Sequence, residues 1–135
     1  MRCVRSFVVA LVAGPMCACG VGVSYTQLRP SAELSPVPPS SVELFLSPPP
    51  RQYVELGMIE VQQEAYNSDQ SGALIQDMRI RAGRAGCDAL IIVGTNDATI
   101  GHRYSTWTEK GFRGICAVWA DGPRAAAVGV VAARK

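Results

Sequence analysis

The sequence has almost no surplus of charge, because 13 basic residues and 11 acidic residues give a formal net charge of +2. This nearly equal number of basic and acidic residues excludes a nucleic-acid-binding protein that works through a basic face. Beyond the N-terminus, no apolar run approaches the roughly 20 residues that a membrane-spanning helix needs. Apolar residues nevertheless make up 48% of the chain, which is too many for a fully disordered protein. We therefore expect one small folded domain within the 135 residues.

Histidine is also scarce, because His102 is the only one in the chain. A Ser-His-Asp or Cys-His set would need it as the base, and no nucleophile motif accompanies it. One histidine with two distant cysteines lacks the ligand spacing of a zinc site, so we predict that His102 is a turn residue. Asp88, Asp97 and Glu109 are expected to be solvated loop residues. The sequence therefore predicts no catalytic site, no metal site, no cofactor and no enzyme.

The N-terminus has the layout of a secretory signal peptide. Arg2 and Arg5 form a short positive region, residues 7–13 form a compact apolar region, and Gly14 and Pro15 end it. This apolar region is too short to span a bilayer comfortably. We therefore expect the chain to be exported.

The segment Met16-Cys17-Ala18-Cys19 resembles the lipoprotein box of bacterial lipoproteins, in which a peptidase cuts before a cysteine that then carries lipid. The fit is better for Cys19 than for Cys17, so residues 1–18 are predicted to be a lipoprotein signal peptide. The alternative is an ordinary secretory signal. The resemblance implies palmitate-type acylation of Cys19 and anchoring in the cell envelope. Gly20, in place of an aspartate, favours the outer membrane with the protein facing the periplasm.

Residues 19–41 are rich in proline and serine, with Pro30, Pro36, Pro38 and Pro39 among small polar residues. Proline favours extended polyproline geometry, and such a stretch is expected not to bury a core. We therefore predict a tether over 19–41. Cleavage before Cys19 leaves 11 basic and 11 acidic residues, so the mature net charge is 11 − 11 = 0.

Residues 42–120 are predicted to form an α+β domain of order β-β-α-β-β, a two-layer sandwich with one helix packed on a mixed sheet. The strands are expected at 42–46, 53–62, 88–94 and 112–119, with the helix between the second and third strands. The alternation of apolar residues changes phase at Met58–Ile59, which predicts a β-bulge near Gly57. Gly86 suits the C′ position of the helix. Residues 121–135 are an uncertain tail, either a further strand or a loose end.

Three segments, 53–59, 79–91 and 112–118, resemble a group of small bacterial envelope lipoproteins and domains. The group includes the YbjQ-like heavy-metal-binding proteins and the Rcs stress-sensor lipoprotein. The resemblance covers about 42–120 and implies a compact α+β domain without catalytic apparatus. It also provides an alternative function, that of a metal-binding envelope domain.

Cys87 and Cys116 are the two cysteines that remain beyond the N-terminal segment. In an exported protein, two such cysteines suggest one disulfide. A two-residue hairpin turn at Gly101-His102 would pair residues whose numbers sum to 203. Because 87 + 116 is also 203, the same register would place Cys87 opposite Cys116. The alternatives are two buried free thiols, or a metal or redox site.

Tyr104 and Trp107 lie in the polar stretch 95–110, which we expect to be a long loop. Exposed aromatic side chains in a loop can contact a partner, although the same side chains can pack over the sheet. The leading hypothesis is a membrane-anchored lipoprotein, without enzymatic activity, whose domain interacts with an envelope protein partner or senses a signal.

Overall fold

The computed structural model describes residues 21–29, 34–64 and 70–129 of the chain. They form six strands, two α-helices and a short 3-10 turn at Pro39–Ser41. The strands are β1 (Gly22–Gln27), β2 (Glu43–Phe45), β3 (Tyr53–Glu64), β4 (Ala89–Thr95), β5 (Ala98–His102) and β6 (Ser105–Trp119). The helices are α1 (Ser71–Arg84) and α2 (Pro123–Ala127). The predicted α+β class, with one main helix on a mixed sheet, is confirmed.

The sheet has the order β1-β3-β6-β4-β2, and β5 pairs with the outer part of β6. Only the β2–β4 pair is parallel, and the other pairs are antiparallel. The long strand β6 therefore occupies the centre of the sheet between β3 and β4. All four predicted strands are present, and β1 and β5 are additional to them.

Helix α1 covers one face of the sheet because its apolar residues recur at helical spacing. Leu74, Met78 and Ala82 are fully or almost fully buried. They pack in one cluster with apolar side chains of β3, β4 and β6. None of the described helices is long and apolar enough to cross a membrane.

Two local predictions from glycine are confirmed. The register of β3 against β6 shifts between Glu55 and Gly57, which is the expected bulge. Helix α1 is followed by Gly86 with a φ of +78°, the left-handed conformation that a C′ residue adopts. Both features depend on local sequence, which explains why the pattern alone predicts them.

The prediction of a tether over residues 19–41 is wrong for the residues of this segment that the structure describes. Residues 22–27 form the edge strand β1, which pairs along its whole length with β3. Its side chains Val23 and Tyr25 pack against the core, as do Leu34 and Val37 in the following segment. A short strand with two inward apolar side chains is weak by itself, and pairing with β3 stabilises it. The folded unit therefore begins about 20 residues earlier than predicted.

The stretch 95–110 is a β-hairpin rather than a long loop. Its register pairs Ala98 with Glu109 and His102 with Ser105. The two-residue turn is therefore Arg103-Tyr104, so the predicted turn at Gly101-His102 is wrong, and the backbone of His102 ends β5.

The tail from Asp121 forms the short helix α2, where a strand or a loose end was expected. Ala125 of α2 is buried against the end of β6. Residues 130–135 lie outside the described part of the chain.

Candidate interaction surfaces

Cys87 and Cys116 form a disulfide, and their Cα atoms are 5.6 Å apart. Both residues are fully buried in the core cluster. The bridge is not the cross-strand pair that the numerical argument predicted, because Cys116 lies opposite Leu90 in the β4–β6 register. Cys87 precedes β4, and its backbone N–H donates a hydrogen bond to the carbonyl oxygen of Ala82 in α1. The disulfide therefore joins the end of the helix to the central strand.

The face of the sheet opposite α1 carries a continuous apolar row. The Cα register pairs its members across four strands in the order Phe45, Ile91, Ile115 and Met58. A Cβ added at the neighbouring Gly114 would lie 2.9 Å from Met78 Cε in α1, so Ile115 points away from that helix. Ile91 is buried, whereas the other three side chains are half-buried. We call these four residues the apolar row.

Charged residues border the apolar row on both sides. On one side, Arg113 Nε donates a hydrogen bond to Glu60 Oε1 at 2.7 Å. On the other side lie Glu43 and Glu55, and both glutamates are exposed. The register places them in one cross-strand row, with Ala89 and Ala117 between them. An apolar strip with a charged border is typical of a protein-binding surface.

The second candidate surface is the hairpin of residues 98–108, which we call the arm. Strand β3 ends at Glu64, opposite Glu109, so the arm extends beyond the main sheet. Tyr104 at its tip is 90% exposed. Trp107 is half-buried, and its indole Nε1 is buried without a hydrogen-bond partner in the part of the chain that the structure describes. The structure thus places both predicted contact residues on one protruding element.

Asp88 has a structural role, although its position predicts a solvated loop residue. Its Oδ2 accepts a hydrogen bond from the backbone N–H of Trp119 at 3.1 Å. Its Oδ1 forms an ion pair with Arg124 of α2, and the aspartate side chain is only 14% exposed. Asp88 therefore holds α2 against the end of the sheet, and no local sequence signal indicates this partnership.

A second ion pair fastens the same end of the sheet. Arg51 donates hydrogen bonds from Nε and Nη2 to Asp121 Oδ1 at 2.9 and 2.6 Å. These hydrogen bonds hold the pKa of Asp121 below its ordinary value. The guanidinium carbon of Arg51 also lies 4.7 Å from the centre of the Trp119 ring, a cation–π contact.

Tyr25 of β1 connects three elements. A Cβ added at Gly57 in β3 would lie 2.5 Å from Cε2 of the Tyr25 ring, so the ring occupies the space that a side chain there would need. The guanidinium carbon of Arg81 in α1 lies 5.1 Å from the ring centre. Burial raises the pKa of the Tyr25 phenol, and the charge of Arg81 opposes this effect.

Two further sequence predictions concern residues that the structure does not fully describe. Cys19, the predicted lipid site, lies outside the described residues, as does the side chain of His102. Within residues 21–29, 34–64 and 70–129, no group of three or more His, Cys, Asp or Glu side chains could hold a metal ion. No contact of the described residues specifically favours the metal-binding alternative.

Neither a known protein-family profile nor a curated protein matches the chain. Among solved structures, the fold is similar to that of FvfA, a Francisella virulence factor, with a TM-score of 0.54. The match covers 73% of this chain and 98% of that chain at 17% sequence identity. A likeness at this identity concerns the fold alone. The resemblance to envelope lipoproteins, YbjQ-like proteins and the Rcs stress sensor stays a prediction.

Proposed function

We propose that this protein is an exported lipoprotein without enzymatic activity, anchored through Cys19 to the outer membrane and facing the periplasm. The observation that carries the proposal is the buried Cys87–Cys116 disulfide. Structural disulfides form and persist in oxidising compartments such as the periplasm, and are rare in the cytosol. The signal-like N-terminus and the lipoprotein-like segment around Cys19 point to the same compartment.

The domain is proposed to bind an envelope protein through the apolar row. Met58 and Ile115 are directly paired on the sheet face that lies opposite α1. The exposed Glu43 and Glu55 border one side of the row, so the fitting partner has an apolar cluster next to basic side chains. Burial of the three half-buried members of the row, Phe45, Met58 and Ile115, would supply affinity, and the charges would set the orientation.

The anchor is tested by labelling cells that express the protein with radioactive palmitate. We expect label in the wild type and in Cys17→Ala, and none in Cys19→Ala. Only Ala18 separates the two cysteines, so each variant is the matched control for the other. Label that persists in Cys19→Ala contradicts the assignment of the anchor.

The partner surface is tested by placing a photo-crosslinking residue at Met58 in cells, with Gln76 as the control position. Gln76 is an exposed residue of α1, on the other side of the sheet. We expect a discrete crosslinked species from position 58 that weakens when Glu55→Lys is added. Equal crosslinking from both positions, or no effect of the charge reversal, contradicts binding through the apolar row.

A further inference from the structure

The end of the sheet that carries the arm is also the end at which the chain enters it. Gly22, the first residue of β1, is paired with Gln62, and Gln62 is paired with Gly111. These three residues form one cross-strand row at the base of the arm. Val21, just before this row, already packs against the core cluster. The folded part of the chain therefore already includes Val21.

Covalent geometry limits how far the proposed lipid site can lie from this row. Cys19 is three residues before Gly22, and a fully extended chain covers at most roughly 11 Å over three residues. The Pro-rich segment follows β1 instead of preceding it, so it provides no spacing. If Cys19 carries lipid, the membrane lies close to the Gly22–Gln62–Gly111 row.

The arm extends farther from the same row than the anchor can. Tyr104 is seven residues from Gly111 along β6 and its turn, which corresponds to roughly 24 Å for extended strand. Measured along the strands from the Gly22–Gln62–Gly111 row, the arm tip therefore reaches roughly 13 Å farther than Cys19 can. With the strands perpendicular to the membrane, the arm tip would therefore reach the bilayer before Cys19 does, and with the strands tilted the arm would lie along the surface.

The composition of the arm suits the region of lipid headgroups. Between Asp97 and Glu109 the chain contains no acidic residue, while the tip carries Arg103. Tyrosine and tryptophan are enriched at membrane–water interfaces because each combines an apolar ring with a polar group. Tyr104 is 90% exposed, whereas Trp107 is half-buried and its indole N–H is buried, without a hydrogen-bond partner among the described residues.

We propose that the arm lies on the phospholipid surface to which the chain is anchored, with Tyr104 and Trp107 in the interface. This inference rests on the proposed lipid anchor at Cys19. It assigns these two side chains to lipid, and the apolar row remains the surface for a protein partner. The domain would then sit directly on the membrane in a fixed orientation.

The test uses the two tryptophans, which occupy opposite parts of β6. Lipidated protein purified from membranes is reconstituted into vesicles of phosphatidylethanolamine and phosphatidylglycerol, with or without brominated acyl chains that quench nearby indoles. Trp119→Phe leaves Trp107 as the reporter, and Trp107→Phe leaves Trp119, which is 6% exposed at the other end of the strand. We expect brominated lipid to quench Trp107 emission and to leave Trp119 emission unchanged.

The wild-type chain provides a second readout that needs no substitution. Trypsin cleavage after Arg103, at the arm tip, is compared with cleavage after the exposed Arg51. We expect protection of Arg103 in vesicles relative to detergent, without protection of Arg51. Intact mass spectrometry of the same sample establishes whether Cys19 carries lipid.

The possible outcomes separate the two proposals. Lipid on Cys19 with an unquenched Trp107 and an unprotected Arg103 overturns the arm proposal and keeps the anchor. An unmodified Cys19 overturns the anchor, and the arm proposal with it. Protection of Arg103 in native envelopes but not in pure lipid vesicles indicates a protein partner at the arm, and also overturns the proposal.

Discussion

Val37 is hydrogen-bonded to Gly83: the backbone N–H of Val37 donates to the carbonyl oxygen of Gly83 in α1 at 2.8 Å. A Cβ added at Gly83 would lie 2.7 Å from the carbonyl oxygen of Val37. The close approach of these two backbones fixes the Pro-rich segment on the helix. A segment with the composition of a tether is thereby part of the folded domain.

This contact predicts opposite effects for two glycine substitutions in the same helix. Gly72 has no atom within 4 Å of an added Cβ, so Gly72→Ala should raise the free energy of unfolding by up to about 1 kcal/mol. Gly83→Ala should lower it by about 1–3 kcal/mol, because Val37 must move. Urea denaturation measures both values. Equal stabilisation by the two substitutions would show that residues 34–41 do not pack on α1.

The disulfide predicts a large loss of stability on removal of both cysteines. Cys87 and Cys116 are 29 residues apart in sequence, and closure of such a loop contributes about 3–4 kcal/mol in the chain-entropy model. The variant Cys87→Ala/Cys116→Ala should unfold at a correspondingly lower urea concentration. Alkylation of unfolded mature protein without reductant provides the control. Modification of Cys87 and Cys116 in that sample would contradict the bridge.

We expect two substitutions of Asp88 to lower the free energy of unfolding by different amounts. Asp88→Ala removes the acceptor for the Trp119 N–H and the partner of Arg124, which should lower the free energy of unfolding by about 1–3 kcal/mol. Asp88→Asn keeps an oxygen acceptor at the same place and should cost less. Combining Asp88→Asn with Arg124→Gln in a double-mutant cycle isolates the ion pair. Strictly additive effects would show that Asp88 and Arg124 do not interact.

Because the phenol of Tyr25 is partly buried, we expect the protein to lose stability at alkaline pH. Its pKa is raised above the ordinary value of 10.0, mainly by burial, so the folded state binds the phenolic proton more tightly than the unfolded state does. The free energy of unfolding should therefore fall as the pH rises above 10.0. Urea denaturation at pH values around and above 10.0 should show a shallower fall for Tyr25→Phe than for the wild type. Identical pH profiles for the two proteins would contradict this role.

Local sequence pattern is enough to predict helix α1, its end and the bulge in β3. Helical spacing of Leu74, Met78 and Ala82 predicted α1, Gly86 predicted its end, and the change of phase near Gly57 predicted the bulge. These features follow from backbone conformation and from the period of apolar residues. The pairing of Cys87 with Cys116 was also inferred, but the register argument for it was wrong because the turn lies two residues later.

Which polar segments join the fold depends instead on contacts between distant parts of the chain. Strand β1 has two inward side chains, Val23 and Tyr25, and its stability comes from pairing with β3 some 35 residues later in the chain. The partners of Asp88 are likewise more than 30 residues away. Such contacts depend on where distant strands meet, which no local period encodes. The same long-range pairing sets Gly22 at the base of the arm, and so links the position of a lipid anchor to the surface that would face the membrane.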